Sequence, residues 1–232
     1  MMAMELATGN ERWQTPNPGG WGMTHSSVAS LDHPAGRQYL YCSTRGVAGV
    51  AAADGRILWS RDDWVIRLAT VPTPVTVGRD RIFLTGGYEA GSMMLRILER
   101  EGKITSEVLW RVEHTVFSAE QQTPILWKDH LYGIVSSGEL ACLDLEGELV
   151  WRTDREHLFG LGPYLLVDDA LLLLADEGGI LTLAEAAPQG YRGMASAKVL
   201  DGHDAWAPMA LAEGRLILRD RSELVCLELP QR

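Results

Sequence analysis

Leu143-Asp-Leu-Glu-Gly147-Glu-Leu-Val-Trp151 reads as an apolar strand, an acidic turn closed by glycine, and a second strand ending on tryptophan. The same order occurs at Glu5-Leu-Ala-Thr-Gly9-Asn-Glu-Arg-Trp13 and at Ala53-Asp-Gly55-Arg-Ile-Leu-Trp59, with a looser copy from Glu101-Gly102 to Trp110. Glycine supplies the positive φ of a tight hairpin, and the aspartate or threonine beside it satisfies local backbone groups. The closing indole offers a wide flat surface to pack between neighbouring units, with an N–H that needs a partner. Outward from this anchor runs a second one, a Pro or Ser before an apolar residue that opens a strand: Ser27-Val28, Pro74-Val75, Pro124-Ile125, Pro163-Tyr164 and Pro208-Met209. The openers are spaced 47, 50, 39 and 45 residues apart. That interval matches one four-stranded blade.

Between the anchors lie short apolar or β-branched runs bounded by Gly, Asp and Asn, as in Gly78-Arg-Asp-Arg-Ile-Phe-Leu84, Lys128-Asp-His-Leu-Tyr132 and the segment opening at Asp168-Asp169. No segment sustains a 3.6-residue apolar period with helix caps. The expected fold is all-β, a single β-propeller domain over residues 1–232 with about five four-stranded blades. One blade alone has two apolar faces, and radial stacking covers both. The last repeat, Pro208 to Pro230, has an opener and two inner strands but no strand closing on tryptophan. Residues 1–13 supply such an outer strand. They belong either to the closing blade of a five-bladed ring or to the preceding blade of a longer, seven- or eight-bladed propeller.

The bulk numbers exclude several classes. No apolar run reaches the length that spans a bilayer. The formal charge of −10 repels phosphate backbones, which argues against nucleic acid as a partner. The three cysteines, Cys42, Cys142 and Cys226, are an odd count without C-x-x-C spacing, which suits neither a disulfide framework nor a zinc site. Cys142 and Cys226 sit in matching Glu-Leu-x-Cys-Leu contexts and read as small apolar residues packed inside strands. No basic region followed by an apolar stretch opens the chain, so it carries no secretory signal of its own.

Glu5 to Trp13 resembles the A-x-D-x-x-T-G-x-x-x-W tryptophan-docking motif of the PQQ-like repeat family, and Cys142 to Trp151 resembles it with a turn one residue shorter. The resemblance covers essentially the whole chain. It implies kinship with quinoprotein alcohol and glucose dehydrogenases on one side and with non-catalytic, BamB-like scaffold propellers on the other. The enzymatic branch implies PQQ and calcium, held beside a vicinal Cys-Cys pair by Glu, Asn and Asp side chains. This chain has no adjacent cysteines, and its asparagines are Asn10 and Asn17 alone. The scaffold branch is therefore the expected one, with no catalytic residues, no metal ligands and no resident cofactor. Members of the family are mostly exported, so the resemblance implies a periplasmic setting for a longer parent and a cytoplasmic one for a chain complete as it stands.

In a propeller, the loop from one blade's outer strand to the next blade's inner strand lies at the channel mouth, where ligands bind. Here these loops are Pro16–Ser26, Arg61–Thr70, Glu113–Gln122, Asp154–Gly160 and Asp201–Trp206. They carry the aromatics Trp21, Trp64, Phe117, Phe159 and Trp206, and four histidines, His25, His114, His157 and His203. Aromatic walls with a few polar groups suit a small molecule or a protein segment. The expected contacts are His25, Trp64, Arg67, Gln121, Gln122, Arg155, Phe159, His203, Asp204 and Trp206, with the indoles stacking on a planar ligand and Arg67 or Arg155 pairing an anion. The histidines show no ligand spacing such as HxH. His203 and Asp204 are chain neighbours, and neighbours in a loop are not expected to face each other.

Overall fold

The computed structural model describes residues 1–167, 170–175 and 178–229, with the backbone alone over 170–175. The turn expected at Asp168-Asp169 lies outside the described residues. The chain divides into two compact units, Met1–Ser118 and Ala119–Arg232. Among the described residues every regular element is a strand, and each sheet is an antiparallel meander of sequence neighbours.

The first unit opens with a hairpin, β1 (Met2–Met4) and β2 (Glu11–Gln14). A four-stranded sheet follows: β3 (Ala29–His33), β4 (Gly36–Ser43), β5 (Gly46–Ala51) and β6 (Ile57–Arg61). The second sheet contains β7 (Val75–Val77), β8 (Arg81–Gly86), β9 (Gly91–Arg100) and β10 (Lys103–Val112). Period-2 alternation sets which side of β4 is dry: Leu40 and Cys42 point one way, Tyr39 and Tyr41 the other. Leu40, Cys42 and Val47 join Leu31, Ile82, Leu84, Met93, Leu95 and Ile97 in one core. On the other face of the second sheet, Phe83 lies opposite Met94, and Met94 opposite Trp110.

The second unit holds β11 (Ile125–Trp127), β12 (His130–Ile134), β13 (Leu140–Asp144) and β14 (Leu149–Arg152). Next come β15 (Tyr164–Val167), β16 (Ala170–Ala175), β17 (Ile180–Glu185) and β18 (Gly193–Lys198). The last sheet has three strands, β19 (Ala210–Ala212), β20 (Arg215–Arg219) and β21 (Leu224–Glu228), in line with a final repeat that lacks a tryptophan-closed strand. Tyr132, Ile134, Leu140, Cys142, Phe159 and Tyr164 form one core of this unit, and Leu200, Ala205, Met209, Leu216 and Leu218 another.

Two closing tryptophans reach the next sheet. Trp13 Nε1 donates to the Ala52 carbonyl at 3.1 Å, and Trp151 Nε1 to that of Ala187 at 2.9 Å. Trp59 turns inward instead. Its indole lies on Gly49, where any Cβ would stand 2.2 Å from Nε1, and that N–H donates to Gln38 Oε1 at 2.8 Å.

Cys142 is buried, but Cys226 is exposed, contrary to the matched contexts of the two. Cys226 lies opposite Ile217, which is itself 41% exposed. Burial pushes the Cys42 thiol up to about 12 and the Cys142 thiol up to about 11, so both stay protonated at neutral pH.

Candidate functional site

The first loop is built by its own side chains. Asn17 clamps the backbone of Trp21 from both sides: Nδ2 donates to Trp21 O at 3.0 Å, and Oδ1 accepts from Trp21 N at 2.9 Å. The Trp21 indole lies over Gly19, where a Cβ would stand 2.7 Å from Nε1. Gly22 N donates to Thr44 Oγ1 at 2.9 Å, and Thr24 N to Tyr41 Oη at 2.9 Å. These bonds tie the loop to β4 and to the β4–β5 turn, at the end of the sheet where β3 begins.

Between this loop and the outward face of the first sheet lies a cavity of about 540 Å³. Residues directly opposite on paired strands share a face. Tyr41, Ala48 and Ser60 form one row, and Tyr39, Val50 and Ile57 the next. Tyr41, Ala48, Val50 and Ile57 make the sheet wall, and Pro16, Pro18, Trp21 and Met23 make the loop wall. Thr15 closes the inner side; it is only 9% exposed, and its Oγ1 has no hydrogen-bond partner.

A second cavity, of about 430 Å³, lies in the other unit, where the loop Glu156–Phe159 meets β17 and β18. His157 Nδ1 stands 2.8 Å from Asp154 Oδ1, and that contact holds the Asp154 carboxyl below its usual range. Tyr191 touches both the His157 and Phe159 rings, with centroids 5.1 and 5.8 Å away.

The expected contact residues separate by burial. Trp64 is 4% exposed and packed in the core with Leu40, Ile66 and Leu95, so its indole faces are taken by protein. Phe159 is likewise a core residue of the second unit. His25, Arg67 and Arg155 are exposed. Gln121 is half-buried, and Gln122 Nε2 bridges loops by donating to Trp206 O at 3.0 Å and Leu161 O at 3.4 Å. His203 and Asp204 do face each other, with Nδ1 3.0 Å from Oδ2. Asp204 adopts φ +60°, and this left-handed turn brings the neighbouring side chains together. Trp206 is 41% exposed.

Asp220 carries no signal as a site residue, yet it shapes the fifth loop. Its carboxylate accepts from Ser222 N at 2.6 Å, Glu223 N at 2.8 Å and Gly202 N at 2.8 Å. Those N–H groups hold its pKa at about 2. A depressed carboxyl contributes stability that is present above the unfolded value near 4 and lost as pH falls through the folded one. The loop Asp201–Trp206 is therefore expected to loosen between about pH 4 and pH 2. Hydrogen exchange at Gly202 and Ser222 should rise over that window, and Asp220→Asn should flatten the change.

The quinoprotein branch calls for PQQ beside calcium. Trp64 has no open face for a quinone, and the buried thiols Cys42 and Cys142 lie in different sheets. Among the described residues no group of three His, Cys, Asp or Glu stands close enough to hold a metal.

No protein-family model matches the chain, and neither does any curated protein. Solved structures do. BamB from Moraxella catarrhalis is similar at 14% identity and TM-score 0.53, over 97% of this chain and 77% of that one. The computationally designed Ika8 protein is similar at 9% identity and TM-score 0.67, over 98% and 64%. Quinohemoprotein alcohol dehydrogenase from Comamonas testosteroni is similar at 13% identity and TM-score 0.67; this chain, covered over 94%, spans about half of that one, 48%. With the sheet topology, these likenesses define the class: the chain has a β-propeller fold.

Proposed function

We propose that this chain is a non-catalytic binding propeller and that its ligand seat is the cavity between the first loop and the outward face of β4, β5 and β6. The observation that carries this reading is the cavity itself. Its volume of about 540 Å³ falls within the range of small-molecule sites. Its loop wall is braced by Asn17, Thr44 and Tyr41, so the seat is formed in advance. Preformed walls spare a ligand the entropy of ordering them.

The test is a titration with Prodan, a neutral naphthalene dye whose emission shifts to the blue in apolar surroundings. A saturable, one-to-one blue shift is expected. Ala48 points into the cavity from the middle of β5, so Ala48→Phe fills the space and should weaken Prodan at least 50-fold while the protein stays folded. PQQ with calcium is expected to leave the melting temperature unchanged, because only a ligand that binds the folded state raises it. A saturable rise with PQQ and calcium would replace this reading with that of a quinoprotein fragment. Equal Prodan binding by the wild type and Ala48→Phe would move the seat elsewhere.

A further inference from the structure

We infer that Gly19 is the specificity-determining position of the seat, and that it acts by placing the indole of Trp21. The inference rests on the proposed seat and names what sets its shape. Both residues line the cavity, on the loop wall that faces Tyr41, Ala48, Val50 and Ile57.

The loop holds the backbone of Trp21 in place. Gly20 N donates to Asn17 O at 3.2 Å, and the Asn17 side chain engages both the N–H and the carbonyl of Trp21. The next residue, Gly22, is tied through its N–H to Thr44 Oγ1 at 2.9 Å. With the backbone fixed, the side-chain torsions of Trp21 alone position the ring. The ring occupies the space left by the missing side chain of Gly19. A Cβ there would stand 2.7 Å from Trp21 Nε1, 2.9 Å from Cδ1 and 3.8 Å from Cε2. Beyond the adjoining residues, these ring atoms are the three nearest to it. The turn itself makes no demand for glycine at this position. Gly20 has φ +60°, but the φ of Gly19 is not positive, so its backbone accepts alanine without strain. A methyl group at position 19 therefore meets the indole first and displaces it while the loop keeps its course. Because the indole is part of the wall, the seat changes shape with it, and an occupant matched to the original wall loses contact.

Prodan titrations of the wild type, Gly19→Ala, Trp21→Ala and the double variant test this. Gly19→Ala should weaken Prodan about tenfold, the size of a one-carbon misfit in an apolar pocket. In the Trp21→Ala background the same substitution should change the affinity by less than about twofold, because the ring it displaces is gone. In nitrogen–proton spectra of the free protein, the Trp21 indole resonance should shift in Gly19→Ala. Hydrogen exchange at the Trp21 and Gly22 amides should stay as slow as in the wild type. Faster exchange there would show that alanine opens the loop, and would overturn the role of the indole. An equal loss with and without Trp21 would overturn it too. Equal Prodan affinity of the wild type and Gly19→Ala, with Ala48→Phe still weakened, would overturn this inference and leave the seat standing. Absence of Prodan binding to the folded wild type would overturn the seat together with this inference.

Discussion

Gly46→Ala should destabilise the first unit by about 3 kcal/mol, which lowers its melting temperature by roughly 10 °C. Gly46 opens β5 with φ +127°, a region that residues with a Cβ rarely adopt. Space is lacking as well: a Cβ there would stand 1.8 Å from the carbonyl oxygen of Arg61, and 3.1 Å from the Asp62 Cα. The obstacle is backbone, so no rotamer change relieves it. The position recurs. Gly91 opens β9 at φ +68° with a Cβ site 2.3 Å from Val112 O, and Gly179 precedes β17 at φ +61° with one 2.1 Å from Leu200 O. In each case the hairpin between the second and third strands presses on the end of the outer strand, and glycine permits the approach. Gly78, at φ +62° with nothing within 4 Å, is the control. Gly78→Ala should lose only about 1 kcal/mol, the penalty of the left-handed conformation alone. Urea denaturation with hydrogen exchange over residues 1–118 measures both. Equal losses would show that crowding by Arg61 is not what excludes a side chain at position 46.

Phe83→Ala should cost about 4 kcal/mol. Phe83 is fully buried and sits in a row across the second sheet, with Val75 and Met94 directly opposite it. Its ring meets Trp110 at 6.0 Å and, edge to face, Phe117 at 5.9 Å. Truncation removes the transfer energy of the ring and leaves a void, because Phe117 is fixed from behind: its carbonyl accepts from Ser92 Oγ at 2.9 Å. The aromatic contacts add about 1 kcal/mol beyond area. Phe83→Leu keeps most of the volume and should recover more than half of the loss. A loss under 1.5 kcal/mol for Phe83→Ala would mean that the row collapses to fill the space.

The strands, their approximate boundaries and their grouping into blades were legible because they rest on local chemistry. Gly9, Gly55 and Gly147 mark hairpins through φ values of +73°, +77° and +91°, and alternation along β4 sorts Leu40 and Cys42 from Tyr39 and Tyr41. The three-stranded end of the chain follows from the same signals. The candidate site was legible in part. Trp21 stood among the loop aromatics, but so did Trp64, and nothing in the local sequence separates the indole that lines a cavity from the one enclosed in a core. Asn17 and Thr15 carried no signal, since their roles depend on where the Trp21 backbone and the first sheet come to rest.

The sequence by itself determined an all-β chain of repeated blades, because turn residues and period-2 patterning act within a few positions of each other. Only the tertiary structure decided which residues share a surface. Cys142 and Cys226 have matching neighbours, yet one is covered by packed sheet and the other is not. Asp220 looks like any surface aspartate until Gly202, Ser222 and Glu223 turn their N–H groups on it. The cavity wall joins Thr15, Tyr41, Ala48 and Ile57, which lie on separate strands and loops. Burial and hydrogen-bond satisfaction are properties of the packed whole, set by long-range contacts that no local pattern encodes.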